Sequence, residues 1–267
     1  MVKNIFKGAT AVLITAGAGM GVDSGLPDFR GTQGFWKAYP PVAKLGLSFS
    51  DMANPIWFLK RPRLAWAFYG HRLNLYRETI PHDGFELLLR EIENKPGGYF
   101  VSTSNVDGQF QKAGFDEKRI VEVHGSIHHL QCSQPCCEKI WEAGAEKVEV
   151  DPERFEALGT LPVCRVCGAL ARPNILMFGD WSWISDRSSD QEEKLEEWLE
   201  MVKSKGSRLV VVEIGAGLSV PTVRFKSESV VRNYNASLIR INPRDFQVPP
   251  GQYSIAAGAL EGIKKIL

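Results

Sequence analysis

Apolar residues along this chain follow two patterns. Four short runs are almost continuously apolar and end in small or polar residues: AVLIT (11–15), YFVSTSN (99–105), RLVVVEIGAG (208–217) and SLIRIN (237–242). A strand covered on both faces has no solvent side to alternate toward, so these runs predict parallel strands inside a buried sheet. Between them, PRLAWAFYGHRLNLYRE (62–78), GFELLLREIE (84–93) and QEEKLEEWLEMVKSKG (191–206) repeat apolar residues three and four apart, as one face of a helix requires. Strands alternating with helices predict an α/β fold, a Rossmann-like doubly wound parallel sheet.

Two stretches break the alternation. Residues 31–80 are rich in aromatics and proline, and 132–170 hold every cysteine. Both are expected to be insertions that pack together. The expected division is a sheet domain of 1–30, 81–131 and 171–267, with a small domain made of a helical insertion (31–80) and a metal-binding insertion (132–170).

With 267 residues the chain is long enough for one enzyme-sized unit with a substantial core. Its 32 Lys+Arg against 31 Asp+Glu leave a formal charge of +1, which provides no global field toward nucleic acid or anionic lipid. No segment approaches the ~18 consecutive apolar residues of a membrane span. The N-terminal MVKNIFKGATAVLITAGAG runs straight into glycines without the bounded pattern of an export signal. The expectation is a soluble cytoplasmic protein with no nucleic-acid or membrane partner.

Clustering of Cys132, Cys136, Cys137, Cys164 and Cys167 points to a metal rather than to a disulfide framework. Cys164 and Cys167 form a CxxC knuckle. CSQPCC offers Cys132 with either Cys136 or Cys137, both at tolerated spacing. Pro135 can set the turn that returns the Cys136 sulfur, which favours Cys132, Cys136, Cys164 and Cys167 as ligands of zinc. Four thiolates leave no open position for water, so such a zinc is structural and the chemistry lies elsewhere. His128 and His129 are competing ligands.

TAGAGMGVDSGLPDFRG (15–31) follows the first predicted strand, and its glycines would let backbone N–H groups approach a pyrophosphate at a helix N-terminus. The acidic residue that a dehydrogenase carries at the end of its second strand is missing. Instead GAGMGVDSGLPDFRG resembles the sirtuin signature GAGxSxxSGIPDFR, matching at Gly17, Ala18, Gly19, Ser24, Gly25, Pro27, Asp28, Phe29 and Arg30 and departing at Gly21, where the family usually has Ser. STSNVDGQFQKAGF resembles TQNVDGLHxxAG, with Asn105, Val106 and Asp107 in register and Ser104 for the usual Gln. His124 in VEVHG matches the family's catalytic histidine by its neighbours and by its distance to the cysteines.

Further matches run to the C-terminus. EIGAGLSVPTVR is similar to GTSLxVxP, where Gly215 is followed by Ala216 and Gly217 in place of Thr and Ser. LIRINP suggests a ribose contact at Asn242, and SIAAGALEGIKKIL an adenine contact at Ala257. RPNILMFGD (172–180) resembles RPxVVxFGE, an extended strand pairing with the substrate backbone through Phe178 and Gly179. Tyr69 and Arg72, spaced three apart on one helix face, resemble the acyl-pocket pair of sirtuins that accept succinyl- and malonyl-lysine.

The resemblance implies NAD-dependent removal of acyl groups from protein lysine, with NAD consumed and zinc structural. In that family the Asn orders the ribose and a water, as Asn105 would here. Asp107 and Val106 would recognise the nicotinamide carboxamide. His124 would take a proton from the attacking ribose hydroxyl, Phe29 would shield the cationic ribose, and the products are nicotinamide and O-acyl-ADP-ribose. An NAD hydrolase or ADP-ribosyltransferase on the same fold, and a catalytically silent NAD-sensing module, are the alternatives.

Overall fold

Burial on both faces builds the main sheet. Every residue of β1 (Ala11–Ala16), β2 (Tyr99–Thr103) and β3 (Ile120–Glu122) is buried in the computed structural model, which describes residues 1–28, 31–145 and 147–267. The next strands in chain order are β4 (Gly125–Cys132), β5 (Ile140–Glu142), β6 (Val150–Asp151), β7 (Glu156–Ala157) and β8 (Ala171–Ile175), followed by β9 (Leu209–Ile214), β10 (Ser237–Ile241) and β11 (Tyr253–Ile255). Six of these form one parallel sheet in the order β11-β10-β9-β1-β2-β3. Beyond β1 the chain fills one side of the sheet, and from β9 it fills the other. The reversal between β1 and β9 opens a crevice at their carboxyl ends, where doubly wound sheets take ligands.

Alternation within the strands serves two helical layers. Val12 and Ile14 face a core completed by Phe85, Leu88, Ile92, Ile263 and Ile266, whereas Ala11 and Leu13 face Leu195, Trp198, Leu199 and Val202. The helix expected at 62–78 runs Pro62–Glu78, and the one expected at 84–93 runs Asp83–Ile92. The 191–206 pattern belongs to a helix that begins earlier, Asp186–Ser204, because its polar first turns carry no apolar period. Sequence patterning missed β11, with three residues, and the helix Thr222–Tyr234.

A second core joins the helix Pro62–Glu78 to a small antiparallel sheet, β5-β4-β8, and to the hairpin β6-β7. Trp66, Phe68 and Tyr69 pack with Ile127, Leu130, Phe155, Ala157 and Ile175, so the two insertions share one apolar interior. β4 enters this sheet at Gly125 and β8 continues it to Ile175, on either side of the expected 132–170 span. Gly125 makes that entry possible: its φ is +75°, and a Cβ there would lie 2.1 Å from the Asn174 carbonyl oxygen. Among the described residues no helix is long and apolar enough to cross a membrane.

Candidate active site and metal centre

At the carboxyl ends of β1 and β9, two glycine turns are packed backbone against backbone. Gly17 N–H donates to the Ile214 carbonyl at 3.0 Å and Gly19 N–H to the Gly215 carbonyl at 3.1 Å. A Cβ on Gly19 would stand 2.6 Å from Gly215 Cα, and one on Gly215, where φ is +65°, 2.4 Å from the Gly19 carbonyl carbon. Each turn therefore requires glycine in the other. The α-helix expected to open at this turn is absent. Two 3₁₀ turns, Ala18–Met20 and Val22–Ser24, take its place and stop at left-handed Gly25, because glycines at 17, 19, 21 and 25 lower helix propensity too far. At Gly21 a Cβ would sit 3.1 Å from Leu26 Cδ1, so a larger residue presses on a side chain that lines the crevice.

The crevice encloses about 790 Å³. The residues expected to meet a cofactor that line it are Gly17, Ala18, Asp28, Gly215, Ala216 and Gly217. Ser104, Asn105, Val106, Asp107 and His124 line it as well, as do Tyr69, Arg72, Phe178 and Gly179. Four expected cofactor contacts are not part of this lining. Gly19 faces Gly215. Ser24 Oγ accepts the His82 N–H at 2.9 Å. Asn242 is fully buried and shapes the turn: its Nδ2 donates to the Ala216 carbonyl at 2.8 Å and its Oδ1 accepts the N–H groups of Arg244 and Asp245, both at 3.0 Å. Ala257 donates its N–H to the Ile255 carbonyl at 3.0 Å and is buried behind β11. Phe29 and Arg30 lie outside the described residues.

Asn105 Nδ2 donates to the Gly17 carbonyl at 3.0 Å, tying the β2 loop to the β1 turn. Asp107 Oδ1 accepts the Gln109 N–H at 2.9 Å, yet burial outweighs that bond and pushes the carboxyl up to about 6. His124 lies half-buried in the turn between β3 and β4, and its carbonyl accepts the Leu176 N–H at 3.0 Å. Burial holds its pKa below the ordinary value, partly opposed by a hydrogen bond to the Ser104 backbone. The imidazole is therefore neutral near pH 7, the state that can accept a proton. Its Nε2 is 3.5 Å from Thr222 Oγ1.

The far end of the crevice, where the acyl group is expected, centres on the helix Pro62–Glu78. Tyr69 is 1% exposed, and its hydroxyl has no hydrogen-bond partner among the described residues although it borders the cavity. The Arg72 guanidinium lies 5.2 Å from the Phe68 ring centroid and 5.7 Å from that of Tyr69. Two cavity residues here escaped sequence reasoning. Tyr76, one turn beyond Arg72, could have been found from its i, i+4 spacing. Asp180, with a fully buried side chain, forms a two-point ion pair with Arg172 at 2.8 and 2.9 Å; both stand in the RPNILMFGD motif, but their spacing does not reveal that they pair. The strand expected over 172–180 ends at Ile175. Beyond it Asp180 takes over as the organiser, accepting the Met177 N–H at 3.4 Å, while Phe178 N–H reaches the Ala53 carbonyl at 2.9 Å.

Away from the crevice, the sulfurs of Cys132, Cys136, Cys164 and Cys167 all lie within 4.8 Å of one another. Cys132 to Cys167 and Cys136 to Cys164 are both 3.7 Å. A tetrahedron with Zn–S bonds of ~2.3 Å has edges of roughly 3.8 Å, so the quartet fits zinc, and disulfides are excluded by distance. Cys136 rather than Cys137 completes the set. Val166 N–H donates to Cys164 Sγ at 3.4 Å, as a thiolate knuckle requires. His128 is engaged elsewhere, its Nε2 meeting the Asp107 carbonyl at 2.9 Å, and His129 is also outside the quartet, with burial pushing its pKa down to about 4.

Residues 17–213 match the sequence model of the Sir2 family. An NAD-dependent protein deacylase of Aquifex aeolicus is 27% identical over 260 residues, 96% of this chain and 93% of its own length. One of Leptospira interrogans is 31% identical over 228 residues, 85% of this chain and 79% of its own. A solved Sir2 homologue in complex with NAD shares the fold with a TM-score of 0.73 at 23% identity, over 99% of this chain and 91% of that one.

Proposed function

The chain belongs to the Sir2 family, and from that premise we propose that it removes acyl groups from protein lysine in an NAD-dependent reaction, in the cytoplasm, with the zinc structural. One observation carries the assignment to this crevice: a neutral, half-buried His124 shares a single cavity with the glycine turns at the β1/β9 switch point and with the Tyr69–Arg72 face. The sheet portion is then the NAD-binding domain, and the two insertions are the small domain that closes over it.

NAD, when bound, supplies a ribose whose bond to nicotinamide is activated for displacement by the acyl oxygen. The protein's part is to hold and to exclude. Gly17, Ala18 and Gly215 present backbone where only glycine-lined turns come this close. Asn105, fixed on Gly17, orders the ribose side, and Asp107, in its ionised form, accepts from a carboxamide N–H. His124 takes a proton from the ribose hydroxyl that becomes nucleophilic after nicotinamide leaves. Phe178, whose N–H donates to the Ala53 carbonyl, and Gly179 line the entry taken by the acyl-lysine chain. The zinc quartet lies apart from these steps and orders the small domain.

Tyr69 and Arg72 direct the acyl end toward groups that terminate in a carboxylate, since a phenol and a guanidinium together bind such a group by charge-assisted hydrogen bonds. A second reading, an NAD hydrolase or ADP-ribosyltransferase, is favoured by the departures at Gly21, Ser104, Ala216 and Gly217 on the cofactor side. Mass spectrometry of acetyl- and succinyl-lysine peptides incubated with NAD separates the two. Loss of the acyl mass with matching O-acyl-ADP-ribose is expected, and His124→Ala should lower that rate by about 10²–10⁴-fold. NAD consumption with both peptides intact would replace deacylation by hydrolysis or transfer.

A further inference from the structure

Arg72 does not lie loose among aromatic rings. Its Nε and Nη2 both donate to the Tyr76 hydroxyl, each at 3.0 Å, and both residues are buried. A guanidinium is a rigid plane with two edges that can grip a two-oxygen group: the side edge Nε/Nη2 and the end edge Nη1/Nη2. Tyr76 closes the side edge, and with two bonds to one oxygen it also stops the plane from turning about the Cδ–Nε bond. Tyr76 is fixed in turn from the β2 loop. Its carbonyl accepts Gln109 Nε2 at 3.2 Å, and the Gln109 N–H holds Asp107 at 2.9 Å. Tyr69, Arg72 and Tyr76 border the same cavity.

We infer that Tyr76 is a positioning residue that fixes the Arg72 fork end-on toward the cavity and thereby sets the preference for acyl groups ending in a carboxylate. The inference rests on the acyl-pocket role proposed for Tyr69 and Arg72. Within that role it makes a stronger claim: specificity depends on the direction of the fork, not on the presence of a positive charge. With the side edge occupied by Tyr76, the contact inferred for a terminal carboxylate is the end edge, with the buried Tyr69 hydroxyl as a further donor. An acetyl group has no oxygen to place there and gains nothing from the fork. Burial keeps the phenol of Tyr76 in its protonated form, so the two bonds persist over the working pH range.

The experiment compares wild type, Tyr76→Phe and Arg72→Met on one peptide carrying succinyl-lysine or acetyl-lysine, with NAD saturating, and reads KM and kcat separately. Tyr76→Phe keeps the ring and deletes the acceptor. The succinyl-to-acetyl ratio of kcat/KM should fall by about tenfold, chiefly through KM for the succinyl peptide, as expected for losing a directed charge-assisted contact. Arg72→Met should abolish the preference. If Arg72→Met collapses the ratio and Tyr76→Phe leaves it unchanged, orientation by Tyr76 is refuted while the carboxylate pocket stands. Equal loss on both substrates in Tyr76→Phe would make it a packing residue and also refute the proposal. An unchanged ratio in Arg72→Met overturns the pocket itself.

Discussion

The cofactor edge of the sheet and the cysteine-bearing insertion are held together by different physics. At the cofactor edge, β1 and β9 are buried along their whole length, and the turns that follow them touch through backbone atoms. The insertion has little of this. Its β5 is half exposed, β6 and β7 have two residues each, and Val163 and Val166 stand open to solvent beside the ligating sulfurs. A parallel sheet covered on both faces derives its stability from apolar area removed from water. A loop-rich segment of this kind draws on only part of the second core, through Phe155 and Ala157, and four thiolates on one ion supplement it. One region is therefore sensitive to a single added methyl, the other to a single lost ligand.

Metal removal should give the largest effect. Structural zinc contributes on the order of 10 kcal/mol to the folding of small thiolate modules. Chelation, or Cys164→Ser, should raise amide exchange across 132–170 while β1, β2 and β9 remain protected. Equal loss of protection in both regions would show that the sheet depends on the metal and would erase the contrast. Gly215→Ala should come next. A positive φ costs about 1–3 kcal/mol for a side-chain-bearing residue, and the clash with Gly19 adds overpacking of similar size. A fall in the urea midpoint together with weakened NAD binding is expected, with zinc content unchanged. A variant that kept both midpoint and affinity would mean that the two turns can separate.

The smallest effect is in pH dependence and belongs wholly to the cofactor edge. Asp107 must be ionised and His124 neutral, and both conditions hold at high pH. Deacylation kcat/KM should therefore be flat above neutrality and fall as pH drops through about 6, the value to which burial raises Asp107. Asp107→Asn should move that limb. A limb that stays in place would assign it to His124 alone.

Much of the site could be read from one dimension. The apolar runs at 11–15 and 208–217 identified the central strands, the CxxC and CSQPCC motifs named four cysteines whose sulfurs the fold brings together, and the residues around NVD and His124 came out in one cavity. The exceptions share a cause. Ser24, Asn242 and Ala257 were assigned to the cofactor by resemblance, but their side chains or backbone are engaged with His82, Ala216 and Ile255. Tyr76 carried no motif, Asp180 closed one without an assigned role, and their partners Arg72 and Arg172 define what they do.

By itself the sequence determined periodicity, ligand chemistry and the order of the motifs, because these depend on residue types at short spacing. Only the tertiary structure decided that Gly19 and Gly215 require each other, that Cys136 rather than Cys137 joins the quartet, that a buried Asp180 pairs with Arg172, and that Tyr76 bonds the Arg72 fork. Each of these is a contact between side chains or backbones whose geometry is set by packing. A one-dimensional pattern records which groups are available, and the folded chain fixes their distances and directions.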